Sequence, residues 1–169
     1  MAIIGLGGLG HMGVKIAAAL GAEVTVLSHS DKKRDDAMKM GADHFIPTKD
    51  GEVFKKYAGK FDLIINTVSA EINMAEYFGL LKTDGTLIVV GIPDRPLSIH
   101  PFPLVMMRRS YSGSLIGSIK ETQEMLDFCG KHNIAPDIET IAPSQVNEAY
   151  ERVLKSDVRY RFVIDLGRL

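Results

Sequence analysis

Cysteine is almost missing from this sequence. Cys129 stands alone, which excludes an internal disulfide and also a zinc site built from cysteines. An excess of one charge is missing too. The 20 Lys and Arg nearly balance the 21 Asp and Glu, for a net charge of −1, so no basic field argues for nucleic acid or an anionic membrane surface. No stretch approaches the ~18 unbroken apolar residues of a transmembrane helix, and the N-terminus has no basic segment ahead of a hydrophobic one. These absences point to a cytoplasmic protein with neither nucleic acid nor membrane as partner. His11, His29, His44, His100 and Cys129 show no metal-ligand spacing, and there is no internal repeat or low-complexity segment. What is present suits a globular domain. With 169 residues, 46% hydrophobic and 24% charged, the chain can bury a real core. It starts directly on a strand, as a domain taken from a longer protein would.

The first ten residues organise the rest. The apolar run Met1 to Ile4 leads into Gly5-Leu6-Gly7-Gly8-Leu9-Gly10. A strand that reverses into a helix against a bound diphosphate needs positive φ at one position, no Cβ where backbone meets phosphate, and close packing where the helix leaves the sheet. Gly5, Gly7 and Gly10 have that spacing. The following helix aims its free N–H groups and the positive end of its dipole at the anion. A glycine pattern of this kind also occurs in methyltransferases, so its context matters.

Strands and helices alternate from there. Residues 11 to 20 place Met12, Ile16 and Leu20 on one stripe of a helix that Gly21 ends. A second strand runs from Glu23 to Leu27, followed by a charged helix from Asp31 to Met40 with Ser30 as its N-cap. A third strand at His44 to Ile46 stops at Pro47, and a short helix covers Glu52 to Ala58. The fourth strand, Phe61 to Asn66, is apolar enough to be buried on both faces. Asn73 to Leu81 reads as helix, Asp84-Gly85 as a turn and Thr86 to Val90 as the fifth strand. A proline-punctuated loop leads to a short helix near Leu104 to Met107, and Tyr111 to Leu115 is the sixth strand. Ser118 and Glu121 form a capping box for a helix that ends near Lys131. The pattern is α/β: a doubly wound, mostly parallel six-stranded sheet, with its ligand crevice at the carboxyl ends of the strands. The tail adds strand, helix and strand, at Asp137 to Ala142, Ser144 to Lys155 and Tyr160 to Leu166. It either completes the sheet or belongs to a neighbouring domain.

The end of the second strand selects the ligand. A dinucleotide without a 2′-phosphate is usually recognised there by an Asp or Glu, about 20 residues past the first glycine. Thr25 to Ser30 contains no acid; Ser28, His29 and Ser30 are followed by Lys32, Lys33 and Arg34. Hydroxyls and an ammonium suit a phosphate monoester, which a carboxylate would repel. The site therefore favours NADP over NAD, although the same residues also fit a capped helix with a solvated face, and Asp31 lies close by. His11 is read as a packing or capping residue, His29 as a ribose or adenine contact or a solvated turn residue, Cys129 as core and Arg161 as an ordinary strand arginine.

The run Gly5 to Ala17, then Ser28-His29-Ser30-Asp31-Lys32-Lys33-Arg34, Gly113 to Ser118, Lys120-Glu121-Thr122, Glu124 to Cys129 and Asp157 to Asp165 resemble the coenzyme domain of the cinnamyl alcohol dehydrogenase group of zinc-dependent medium-chain alcohol dehydrogenases. The resemblance implies a Rossmann sheet over residues 1–134, with residues 135–169 returning to a catalytic, GroES-like domain that this sequence does not contain. It implies that Gly5, Leu6, Gly7, Gly8, Leu9 and Gly10 hold the NADP diphosphate. Ser28, Ser30 and Lys33, with His29 and Lys32 beside them, would meet the ribose and its 2′-phosphate. Thr67 would end the fourth strand beside the cofactor, and Gly91, Ser114, Leu115 and Ile116 would border the nicotinamide. It further implies a homodimer joined through the sixth strand, Tyr111 to Leu115, and an alcohol or aldehyde substrate. Arg161 matches a position that can approach the cofactor phosphates. Zinc, its ligands and the proton relay belong to the absent domain in that family, so this chain alone is expected not to turn over. Leu115 stands where plant members tend to have Phe, which points to broad aldehyde reduction. A free-standing NADPH-sensing module without catalysis is the alternative; a methyltransferase would want an acid at the close of the second strand.

Overall fold

A computed structural model describes residues 1–168. Six strands form one parallel sheet: β1 (Ala2–Ile4), β2 (Thr25–Ser28), β3 (His44–Pro47), β4 (Phe61–Asn66), β5 (Leu81–Val89) and β6 (Ser110–Gly113). Their spatial order is β3-β2-β1-β4-β5-β6. The order reverses between β1 and β4, where Ala2, Ile3 and Ile4 pair with Ile64, Ile65 and Asn66. Loops leaving those two strands part in opposite directions and open a crevice at their carboxyl ends.

Short strands with apolar residues at every position need cover on both faces. Ala2 and Ile4 enter one core with Leu27, Ile46, Ile64 and Leu87, and with Met74, Tyr77 and Phe78 of α4 (Met74–Gly79). Ile3 faces the opposite core with Val24, Val26 and Phe45, and with Val14 and Ala17 of α1 (Gly10–Ala19). In α1 the small residues Gly13 and Ala17 let the helix lie close to the sheet; a Cβ on Gly13 would sit 3.2 Å from Ile3 Cδ1. The other helices are α2 (Arg34–Lys39), α3 (Glu52–Lys56), α5 (Phe102–Met106), α6 (Ile119–Lys131) and α7 (Val146–Leu154).

The caps differ in outcome. Ser118 and Glu121 make the expected reciprocal pair: Ser118 Oγ accepts the Glu121 N–H at 3.2 Å, and the Glu121 carboxylate accepts the Ser118 N–H at 2.6 Å. Asn73 lies just ahead of α4, with its Oδ1 accepting the Ala75 N–H at 3.2 Å. Asn73→Ala is therefore expected to cost about 1 kcal/mol in a denaturant titration, because α4 brings Met74, Tyr77 and Phe78 to the core. Ser30 is not the cap expected of it. The chain enters a 3-10 turn at Asp31–Lys33 before α2 begins, and the Ser30 hydroxyl makes no capping bond. Asp31 instead takes the Arg34 guanidinium at 2.6 Å.

Several strand boundaries also shift: β2 is Thr25–Ser28 rather than Glu23 to Leu27, and the last strand is Arg161–Ile164 rather than Tyr160 to Leu166. Leu81 is fully buried and pairs with Phe61, so β5 begins there and kinks at Asp84 rather than after it. Asp84 has a φ of 62°, and the register shifts between Phe61 and Leu63. β6 ends at Gly113; Ser114 donates one more bond to Val89 O at 3.1 Å, and Leu115 is then free of the sheet.

The tail does not complete the six-stranded sheet. β7 (Ile138–Ile141) and β8 (Arg161–Ile164) pair with each other in parallel, with α7 between them in sequence. This small unit is fastened to the main sheet through α1: Lys15 Nζ donates to Ala135 O and Asp137 Oδ1, each at 2.9 Å.

Candidate nucleotide-binding site

The crevice is built on the glycine turn. Gly5 holds a φ of 89° and its N–H bonds Leu27 O at 2.9 Å, which ties the turn to β2. Side chains rarely adopt that φ, and a Cβ there would also collide with the Val68 side chain. Gly10 brings the start of α1 against the turn: a Cβ would run into the Gly5 carbonyl and stand 3.0 Å from Thr67 Oγ1. Gly7 differs from both, since its Cβ would meet nothing within 4 Å. The loop is thus packed beneath at Gly5 and Gly10 and open at Gly7, and of the first amides of α1 that of His11 already bonds Gly7 O at 3.0 Å. Such an opening, at the positive end of the helix dipole, fits a diphosphate.

Thr67 closes the floor, with its hydroxyl and its N–H both donating to Ile4 O, at 2.7 and 3.1 Å. Gly91 is buried against the backbone of Thr67 and Val68, so the ends of β1, β4 and β5 meet at one place. Asn66 is buried among them, and its Oδ1 accepts the Val68 N–H at 3.1 Å.

Of the residues expected to read the ribose end, Ser28 and Ser30 are half-buried at the close of β2, while His29 and Lys32 are exposed. Lys33 reaches back to the loop, where its Nζ donates to Leu6 O at 2.9 Å. Burial pushes the Lys33 ammonium below the usual lysine range, the Arg159 guanidinium adds to this, and Asp36 opposes it. Arg34 turns away to pack over the Phe45 ring and bond Phe45 O at 3.1 Å. Leu6 is buried and Leu9 half exposed, so the loop carries one anchored and one free apolar side chain.

The far end of the crevice is apolar. Gly91, Ser114 and Leu115 line one hollow with Val89, Val90, Ile92 and Gly113. Leu115 and Ile116 are 82% and 89% exposed, and Ile116 is not part of that lining.

Several contacts at the loop were not expected from local sequence. Arg161 Nη2 donates to Gly8 O at 2.9 Å, so this strand arginine lies against the glycine turn. Tyr160 is buried, its hydroxyl donates to Asp36 Oδ2 at 2.7 Å, and Arg159 Nε meets the same carboxylate at 2.9 Å. Burial, helped by the bond to Asp36, pushes the Tyr160 phenol well above the ordinary tyrosine range. His11 is fully buried beneath the loop, with Nδ1 3.0 Å from Gly7 O and Nε2 3.3 Å from the Asp137 amide nitrogen. The amide can only donate, so Nε2 accepts and Nδ1 carries the proton. The imidazole is therefore neutral in this geometry. Its ring stacks on Tyr160 with centroids 5.1 Å apart. For Arg161 the family resemblance points toward the cofactor phosphates; for Arg159, Tyr160 and His11 the local sequence gives no hint of these contacts.

Among the described residues no three His, Cys, Asp or Glu side chains come together as a metal site, so these residues do not fit a zinc ion. No helix among them is long and apolar enough to cross a membrane.

Strand order, the crossover point and the glycine turn together define a doubly wound domain of the Rossmann class. Comparison with known proteins narrows this. The chain belongs to the zinc-binding dehydrogenase family, whose model matches residues 8–131. It is 57% identical over 169 residues to the NADP-dependent alcohol dehydrogenase C 1 of Mycolicibacterium smegmatis, covering 100% of this chain and 48% of that protein. Among solved structures it is similar to a cinnamyl alcohol dehydrogenase from Sorghum bicolor, with a TM-score of 0.95 and 44% identity over 98% of this chain and 47% of that one. It is also similar to a cinnamyl alcohol dehydrogenase from Helicobacter pylori solved with NADP(H), with a TM-score of 0.89 and 38% identity, covering 99% of this chain and 48% of that one. The chain spans about half the length of the curated relatives it matches.

Proposed function

We propose that this chain is the NADP(H)-binding part of a zinc-dependent alcohol dehydrogenase or aldehyde reductase that interconverts a primary alcohol and an aldehyde. Residues 1–134 form the dinucleotide domain, and residues 135–169 are the C-terminal segment of a catalytic domain that supplies zinc and the proton relay. The observation that carries the reading is the open space over Gly7 beside the Lys33 ammonium, in a site with no acid at the end of β2. The relatives' names support it, as does the Helicobacter pylori structure solved with NADP(H).

In this reading the loop from Gly5 to Gly10 holds the diphosphate, with the Gly5 amide fixing the turn on Leu27 O, and the α1 dipole adds to the attraction. Ser28 and Ser30 offer hydroxyls to the 2′-phosphate, with Lys33 and Lys32 as counter-charges and His29 beside the ribose or adenine. Asp31 does not cancel those cations, because Arg34 already occupies it. Thr67 fixes the height of the crevice floor. Gly91, Ser114, Leu115 and Ile116 border the nicotinamide and exclude water from one of its faces. NADP(H), when bound, supplies the hydride.

The exposed edge of β6, followed by Leu115, Ile116 and the 92% exposed Ile119, suits edge-to-edge pairing of two sheets. A homodimer through that edge, in the cytoplasm, completes the proposal.

The test is titration of this chain with NADPH and NADH, followed by nicotinamide fluorescence. NADPH is expected to bind more tightly. Lys33→Glu is expected to lower NADPH affinity about 10- to 100-fold, as loss of a charge-assisted bond and introduction of repulsion require, and to leave NADH binding nearly unchanged. Equal affinity of the parent chain for the two nucleotides would overturn the assignment of the 2′-phosphate site.

A further inference from the structure

Lys33 does not hold its place alone. Its ammonium lies 5.1 Å from the centroid of the Tyr160 ring while it donates to Leu6 O. An ammonium has three donors; the Leu6 carbonyl takes one and the ring lies beside the head group, so an incoming anion meets a charge already held in place. Tyr160 is itself tightly fixed. It is 4% exposed, its ring stacks on His11 at an interplanar angle of 15°, and its N–H bonds Asp137 O at 3.0 Å.

Asp36 is the competitor. It is the acid that acts on Lys33 electrostatically, and a free carboxylate there would draw the ammonium away from the nucleotide. It is not free, because one of its oxygens receives both the Tyr160 hydroxyl and Arg159 Nε.

From this geometry we infer that Tyr160 is a positioning residue for nucleotide discrimination: its ring fixes the Lys33 ammonium beside the glycine turn, and its hydroxyl keeps Asp36 engaged elsewhere. The inference rests on the proposed reading of Lys33 as partner of the 2′-phosphate. It places part of the specificity of the site on a residue of the C-terminal unit, acting through Lys33. A long lysine side chain loses substantial rotamer freedom when it is ordered; with Tyr160 in place that cost is met before the nucleotide arrives. The benefit falls on NADPH alone, since NADH presents nothing for Lys33 to hold.

The experiment is calorimetric titration with NADPH and with NADH of the parent chain, Tyr160→Leu, Tyr160→Phe, Lys33→Met and the double variant Lys33→Met/Tyr160→Leu. Near-UV circular dichroism checks that each is folded. Tyr160→Leu is expected to weaken NADPH binding about fivefold, the range of a cation–π contact, and to leave NADH binding within about twofold. Tyr160→Phe keeps the ring and loses the hydroxyl, so a smaller loss again confined to NADPH is expected. In the Lys33→Met background the Tyr160 change is expected to add nothing. Equal loss of both nucleotides in the Tyr160 variants, or a full further loss in the double variant, would reduce Tyr160 to a packing residue and overturn the inference while leaving the role of Lys33 intact. If Tyr160→Leu fails to fold, Tyr160→Phe decides by the same criterion. An undiminished NADPH preference in Lys33→Met would instead remove the reading of Lys33 itself, and the inference with it.

Discussion

Gly7→Val is expected to leave the thermal midpoint of the chain within about 2 °C of the parent and to lower NADPH affinity on the order of 100-fold. Gly10→Val is expected to do the reverse in its first effect, costing about 3 kcal/mol, or roughly 10 °C in midpoint. The two glycines stand three apart in one turn, and only their surroundings separate them. A side chain at 10 must enter the Gly5 carbonyl and crowd the Thr67 hydroxyl, both parts of the floor where β1 and β4 meet. Nothing there can move without breaking the bonds of Thr67 to Ile4. A Cβ at 7 meets nothing within 4 Å beyond its chain neighbours, so the substitution is expected to harm chiefly what occupies the space outside the loop. Thermal melting and nucleotide titration of the pair therefore divide architecture from ligand. Unimpaired binding in a folded Gly7→Val variant would show that the opening is not where the diphosphate lies.

His11 gives the second large effect. Replacing it by Ala is expected to cost about 3 kcal/mol, because the Gly7 carbonyl and the Asp137 amide lose a partner and a space opens against Tyr160. The same residue makes stability depend on pH. Burial lowers its pKa from 6.5; the bond to Gly7 O and the charge of Asp137 oppose this, and Lys15 and Arg161 add to it. Lys33 and Arg159 lie over the Tyr160 ring on which His11 stacks, and Asp36 accepts its hydroxyl. The folded state thus keeps the imidazole neutral where the unfolded chain already takes a proton. The His11 contribution is fully present above pH 6.5 and is lost as pH falls from there toward the lowered folded value, with a slope approaching about 1.4 kcal/mol per pH unit. Urea titrations between pH 8 and 5 check this, and a His11→Gln variant should lack that component of the slope.

How far the sequence carried depended on the range of the interactions. β4 was legible to the residue because an apolar run bounded by Gly59 and the polar end at Asn66 needs no distant information. The glycine turn was legible for the same reason, and so was the Ser118–Glu121 box. Ser30 misled because a capping residue and the entry to a 3-10 turn look alike until the first turn closes. Asp84-Gly85 misled because the burial of Leu81 against Phe61, which starts β5 early, is a property of the neighbouring strand. The placement of Ser28, Ser30 and Lys33 near the loop followed from the fold class. What lay against Lys33 did not: Tyr160 is 124 positions from Asp36, and Asp137 is 126 from His11. No local pattern encodes pairings of that length.

Those separations also impose an order of events on synthesis. The phosphate cradle is complete in covalent terms once α1 has left the ribosome, and local contacts form first. Yet the phenol beside Lys33 is translated more than a hundred codons later. A chain halted before that point can own the whole glycine turn and still lack the brace that orders its lysine, so coenzyme selection matures last in the life of the nascent polypeptide, after the motif by which such domains are recognised.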